Sequence, residues 1–345
     1  MEDKKNSIPI VGISIGDLNG IGPEVILKTF MDNRLLKIAT PVIYASHKAV
    51  SFYRKSLYFE NFNYHQARNF DEINPKKVNV ITCWDKDVEI KPGEINDDGG
   101  KYASISLNKA ASDLKVGHTQ ALVTAPIHKK NIQSEDFNFP GHTEFLSKYF
   151  DAEETLMTLI SERLRVGVVT GHIPLKNVAD NITKDRVGKK IGVMEKSLIT
   201  DFGIQKPKIA VLGLNPHAGD DGLLGNEETR VITPVIEELK KSGKLIFGPF
   251  SADGFFGALY YQKYDGVLAM YHDQGLVPFK TLAFQNGVNY TAGLSVIRTS
   301  PDHGTAHEIA GKGIADETSF RAAVLLAVDI INQRIGVNST TQLSF

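Results

Sequence analysis

The stretch Tyr271-His272-Asp273-Gln274-Gly275, running on through Lys280 and Asn289 to Arg298-Thr299-Ser300-Pro301-Asp302-His303-Gly304-Thr305, combines unusual chemistry. It places an imidazole beside a carboxylate, adds two cations, and ends in a glycine-containing turn with a second imidazole. A core strand or a solvated helix needs no such mixture, whereas an active site does. Two further histidines sit in comparable surroundings, His172 in Thr170-Gly171-His172-Ile173-Pro174 and His217 in Asn215-Pro216-His217-Ala218-Gly219. Each of His172, His217 and His272 follows a short β-branched run, so each is expected to project from the C-terminal edge of a sheet, where ligand crevices form. Three neutral imidazoles on separate loops can hold a divalent cation and leave positions open for substrate. No local H-x-x-x-H spacing supports the set, and a single loop histidine is more often a hydrogen-bonded structural residue.

Other segments suit anions. Pro140-Gly141-His142-Thr143-Glu144-Phe145-Leu146 reads as a loop entering a helix, with Thr143 and Glu144 placed to cap and His142 able to donate to a bound anion. Arg298 offers a fork for carboxylate or phosphate, Lys280 a point charge, and Asn289 an orienting amide. Near the N-terminus, a strand over Ile8–Ile15 leads into Gly16-Asp17-Leu18-Asn19-Gly20-Ile21-Gly22-Pro23-Glu24. Pro23 there suits the first helical position, and the glycines permit a sharp turn with close backbone approach, although the spacing is not G-x-G-x-x-G.

The elements that must carry these residues alternate. Short runs at Pro41–Tyr44, Val78–Ile81, Ala121–Thr124, Leu156–Ile160, Val166–Val169, Lys208–Leu212, Gly266–Ala269 and Ser295–Ile297 read as strands, and Pro23–Met31, Asp185–Thr200, Glu227–Lys241 and Thr318–Asn332 as amphipathic helices. The pattern predicts an α/β chain with mostly parallel sheets covered on both faces. Its 345 residues suffice for two domains. The aromatics scattered over Ser51–Phe70 lack the clustered cations that base stacking would need, and are expected to pack on the sheet.

With 39 Lys and Arg against 40 Asp and Glu, the formal charge of −1 supplies no global field for nucleic acid or anionic membrane. The single Cys83 excludes an intramolecular disulfide and fits a reducing compartment. The N-terminal Met1–Lys5 is mixed in charge, and the apolar run after it is too short to span a membrane, so a cytoplasmic location is expected.

Taken in order, the glycine turn, Gly-Leu-Asn-Pro-His-Ala-Gly at 213–219, Ala252-Asp253 with Phe256, Tyr-His-Asp-Gln-Gly at 271–275 and the run Arg298 to Gly304 resemble the 4-hydroxythreonine-4-phosphate dehydrogenase family of pyridoxal phosphate biosynthesis. The segment His303-Gly304-Thr305-Ala306-His307-Glu308-Ile309-Ala310-Gly311-Lys312-Gly313 is also similar to the adenosine-binding loop of isocitrate and isopropylmalate dehydrogenases. The resemblance implies two α/β/α domains, 1–125 with 295–345 and a central 126–294 bearing the metal ligands and a dimer interface, with the active site in the interdomain cleft.

It further implies His172, His217 and His272 as ligands of one divalent metal, zinc, cobalt, manganese or magnesium, and His142, Thr143, Lys280, Asn289 and Arg298 as substrate contacts. Asp302, His303, Gly304, Thr305, Ala306, Gly311, Lys312 and Gly313 would hold NAD, or NADP. The catalytic base is left between Asp253 and Asp273. The implied unit is a homodimer with shared sites, His272 being expected from the neighbouring subunit, and the implied reaction is oxidation of 4-phosphooxy-L-threonine at C3 followed by decarboxylation. A paralogous dehydrogenase of 4-phospho-threonate or erythronate would keep the same histidines and phosphate contacts. A non-catalytic binding protein would be expected to lose a histidine or the cofactor loop, and a phosphate acyltransferase would not need three imidazoles. The chain departs from the family's usual residues at Leu18-Asn19, Gly171 and Ala125-Pro126-Ile127.

Overall fold

The computed structural model describes residues 8–135 and 137–336, so the Met1–Lys5 segment lies outside the described residues. It divides into two units, Met1–Asp151 with Ser295–Phe345, and Ala152–Leu294. Residues 126–151, grouped by sequence with the central domain, fall in the first unit. No helix among the described residues is long and apolar enough to cross a membrane.

In the first unit, strands β1 (Ile10–Ser14), β2 (Thr40–Ala45), β3 (Tyr64–Ala67), β4 (Val78–Thr82), β5 (Ala121–Thr124) and β12 (Ile297–Pro301) lie in the order β3-β4-β2-β1-β5-β12. Every pairing among them is parallel. Strands β2 and β5 are buried at every residue, as parallel strands covered on both faces must be. Helices α1 (Gly22–Phe30), α2 (His47–Ser56), α3 (Asp97–Lys115), α4 (His142–Tyr149) and α10 (Thr318–Arg334) complete the unit. Sequence reading had Ser295–Ile297 as a strand; the strand begins where that run ends and extends to Pro301, placing Arg298 within it. Tyr53 and Phe62 of the aromatic segment are buried, as expected for packing, but the segment's end forms the unforeseen edge strand β3.

The second unit is a mixed sheet in the order β11-β6-β7-β10-β8-β9, built from β6 (Leu156–Ile160), β7 (Arg165–Thr170), β8 (Lys208–Leu212), β9 (Leu245–Phe250), β10 (Gly266–Tyr271) and β11 (Val288–Ala292). Strand β6 runs antiparallel to both neighbours, whereas β7, β10, β8 and β9 are mutually parallel. A core of Val166, Val168, Leu212, Val267, Ala269, Leu276 and Phe279 ties this parallel half together. The covering helices are α5 (Val178–Asn181), α6 (Lys184–Thr200), α7 (Thr233–Lys241), α8 (Ala252–Gly257) and α9 (His272–Ala283). The helix predicted over Glu227–Lys241 opens instead with a wide π turn, Glu228–Ile232, before α7 begins.

Candidate active site

Parallel strands align their C-terminal ends along one edge of a sheet, and four adjacent ones present polar residues there. His172 follows β7, His272 follows β10, His217 follows β8 and Asp253 follows β9, in strands that neighbour one another in the order β7-β10-β8-β9. The rings of His172 and His272 stand 5.5 Å apart between centroids. His172 and His217 are exposed and His272 is half-buried, so none of the three is a core histidine. Among the described residues no group of three or more histidine, cysteine or acidic side chains is already gathered as a metal centre.

His272 opens α9 rather than lying in a loop, and Nδ1 contacts Asp273 Oδ1 at 2.7 Å. Facing a carboxylate, Nδ1 carries the hydrogen and donates it, which leaves Nε2 of the neutral ring with its lone pair free to ligate. Asp273 therefore orients His272. The Ser251 hydroxyl donates to Asp253 Oδ1 at 2.5 Å, and this bond, helped by the Gly254 backbone N–H, holds the Asp253 carboxyl below its ordinary range. A carboxylate so held is a weak base. Gln274, quoted above without a role, accepts from the Met270 N–H and donates to the Gly213 carbonyl, linking the helix of His272 to the loop of His217.

The His217 loop is unusual in its backbone. From His217 to Gly222 every residue has positive φ, and four of them are not glycine. At on the order of 1 kcal/mol for each such residue, the loop keeps this course only because its surroundings enforce it.

The first unit gathers the anion-binding pieces. Arg298 is buried in β12, and its Nη2 and Nε donate to Thr124 Oγ1 at 2.7 and 3.2 Å. Burial pushes the guanidinium down to about 10, with Glu144 pulling the other way, so it stays charged at neutral pH. His142 opens α4 directly after Gly141; no side chain caps that helix, so Thr143 and Glu144 do not act as the caps the sequence suggested. Burial, then the Arg298 and Lys129 charges, holds the His142 imidazole well below its ordinary value, and its Nε2 is buried without a hydrogen-bond partner. Free helical N–H groups, a buried guanidinium and a neutral imidazole suit a phosphate or carboxylate. Sequence reading missed Lys129, which no local pattern marks.

A histidine kept neutral by the fold makes stability depend on acid. The unfolded chain protonates His142 near its ordinary value of about 6.5 and the folded chain does not, so stability is complete above that pH and falls as pH drops below it. His142→Asn is expected to show a shallower acid limb in melting temperature between pH 7 and 5; identical limbs would contradict the assignment.

Lys280 lies two turns into α9, and Asn289 lies in β11 with Oδ1 buried and unpartnered. The segment from Asp302 to Gly313 leaves β12 and is tied down at both ends. Asp302 N–H donates to Ser319 Oγ, and Lys28, paired with the buried Glu24, donates to the carbonyls of Gly313 and Ala315. A side chain at Gly304 would meet nothing within 4 Å, which leaves that backbone open to a ligand. Ala306 is left-handed, as are Gly311 and Gly313. His303, Thr305 and Lys312 lie within the same segment.

The glycine turn has a different use from the one its composition suggests. A Cβ at Gly16 would lie 2.4 Å from the Pro126 carbonyl, and one at Gly20 2.9 Å from that of Thr305, so protein backbone already fills the approach. Ile21 N–H donates to that Thr305 carbonyl. Leu18 and Asn19 are buried structural residues. Asn19 accepts from Lys91 N–H and donates to Asn96, and the Leu18 carbonyl takes the Tyr53 hydroxyl.

These features define a class: α/β proteins whose parallel strand ends carry ligating and anion-binding side chains. Residues 37–327 match the family described as Pyridoxal phosphate biosynthetic protein PdxA, and the chain belongs to that family. It is 46% identical to a 4-hydroxythreonine-4-phosphate dehydrogenase of Bacteroides thetaiotaomicron, over 97% of this chain and 91% of that one. It is 39% identical to a putative D-threonate 4-phosphate dehydrogenase of Oceanobacillus iheyensis, over 93% and 98%. The crystal structure of 4-hydroxythreonine-4-phosphate dehydrogenase from Klebsiella pneumoniae superposes with a TM-score of 0.81 at 34% identity, covering 94% of this chain and 99% of that one.

Proposed function

We propose that the protein is a divalent-metal-dependent, NAD-dependent 4-hydroxythreonine-4-phosphate dehydrogenase that oxidises 4-phosphooxy-L-threonine at C3 and releases 3-amino-2-oxopropyl phosphate after loss of carbon dioxide. One observation carries the reading beyond family membership: histidines at the C-terminal ends of β7, β10 and β8, with two of the rings 5.5 Å apart. The donor chemistry fits a catalytic cation, with His172, His272 and His217 as the residues that would hold it. Such a cation, when bound, lowers the pKa of a substrate hydroxyl and polarises the carbonyl formed from it.

The chain's own residues supply the rest. Asp273 fixes the His272 tautomer. Arg298, His142, Thr143 and Lys129 receive the phosphate at the start of α4, while Lys280 and Asn289 orient the polar end of the substrate. The Asp302–Gly313 segment would hold the nicotinamide cofactor, which would supply the hydride acceptor for oxidation at C3, and a base on the chain would take the hydroxyl proton. With Asp273 engaged by His272 and Asp253 held down by Ser251, Asp253 is the freer of the two but a weak acceptor. The second unit exposes Leu175, Leu223, Leu259, Val277, Leu282 and Phe284, apolar surface of the kind a homodimer covers. Sedimentation is expected to give twice the chain mass, and a single-chain mass would contradict the dimer.

The relatives named for D-threonate 4-phosphate support one alternative, the same oxidation on a substrate with a hydroxyl where threonine carries its amine. Steady-state kinetics on both substrates, with metal supplied, decide between them. The proposal expects the higher kcat/KM on 4-phosphooxy-L-threonine, and a higher value on the threonate would reverse the assignment.

A further inference from the structure

The His217 loop closes in a short 3-10 turn, Pro216–Gly222, in which His217, Ala218, Asp220 and Asp221 all hold positive φ, so contacts from elsewhere in the second unit must offset the strain of that left-handed course. The buried carboxylate of Glu228 reaches it directly. Its Oε1 accepts the N–H groups of Leu214 and Asn215, both at 2.7 Å, and its Oε2 accepts Asn215 Nδ2 at 2.9 Å. The fit is close. A Cβ at Gly213 would lie 3.1 Å from Oε1 and one at Gly219 2.7 Å from Oε2, so both glycines leave room for this carboxylate. The neighbouring Glu227 accepts from the same Asn215 amide at 2.7 Å. Glu228 also opens the π turn that precedes α7, a wide turn of the sort found where a helix presents a residue to a special site.

We propose that Glu228 is the positioning residue of the His217 loop: its carboxylate holds residues 213–219 so that His217 is presented at the end of β8. A buried carboxylate is costly unless its oxygens are satisfied, and here the satisfying donors belong to the loop itself, so loop and carboxylate depend on each other. The consequence for metal binding rests on the metal reading above; the brace itself does not.

Amide hydrogen exchange on the metal-free protein, paired with zinc titration by calorimetry, tests both. Glu228→Ala is expected to speed exchange at residues 213–225 at least about tenfold while amides of β7 and β10 stay unchanged, and to weaken zinc binding about ten- to a hundredfold. Glu228→Gln keeps one oxygen for the two backbone N–H groups but turns a donor toward Asn215, so it should give intermediate acceleration at the same residues. Wild-type exchange across 213–225, or uniform acceleration throughout the second unit, overturns the proposal. If Glu228→Ala does not fold, Glu228→Gln is judged by the same two patterns. If the wild-type protein takes up no zinc, or His217→Ala binds it as tightly as wild type, the metal reading fails and exchange alone decides the role of Glu228.

Discussion

Replacing His217 with alanine is expected to lower turnover at least about a thousandfold, roughly 4 kcal/mol of transition-state stabilisation, and to remove stoichiometric zinc binding. His217 is exposed at the end of β8, packs in no core cluster, and sits in a loop whose strained backbone would be pointless for a surface residue. The apo protein should therefore melt close to wild type, because removing an exposed side chain seldom shifts stability by more than about 0.5 kcal/mol. His172→Ala and His272→Ala should behave alike. Metal content and turnover retained in His217→Ala would remove it from the site.

Arg298→Ala should lower kcat/KM about ten- to a hundredfold or more, the worth of one or two charge-assisted hydrogen bonds to an anion at about 1.5–3 kcal/mol each. The fold spends energy on this residue, since a guanidinium buried in β12 and pushed down to about 10 is held against its desolvation. Removing it should cost catalysis more than stability, and Arg298→Lys should not restore full activity, because a point charge cannot replace the fork. A drop in melting temperature with unchanged kinetics in Arg298→Ala would make it a structural residue.

Much of the frame was legible because the strands carrying the site are short β-branched runs with breakers behind them. Ala121–Thr124, Leu156–Ile160 and Lys208–Leu212 match their sequence bounds residue for residue. What was not legible had a physical cause. Helix α3 begins Asp97-Asp98-Gly99-Gly100, which reads as a loop, yet a Cβ at Gly100 would lie 2.1 Å from the Asn131 carbonyl, so packing rather than propensity chose glycine there. Strand β9 holds Gly248-Pro249, a turn signal that only an edge position tolerates. The histidines and Arg298 could be named from residue type and neighbours. Lys129, Gln274 and Glu228 could not, because their roles arise from tertiary contacts with residues 13 to 61 positions away, which no local spacing encodes.

The central claim is a metal-assisted, NAD-coupled oxidative decarboxylation. The most direct test gives metal-stripped protein 4-phosphooxy-L-threonine and NAD, adds a divalent cation, and measures NADH and carbon dioxide together. The account predicts negligible NADH before the cation and equimolar NADH and carbon dioxide after it; full NADH formation by the stripped protein, or NADH with no carbon dioxide, would contradict it.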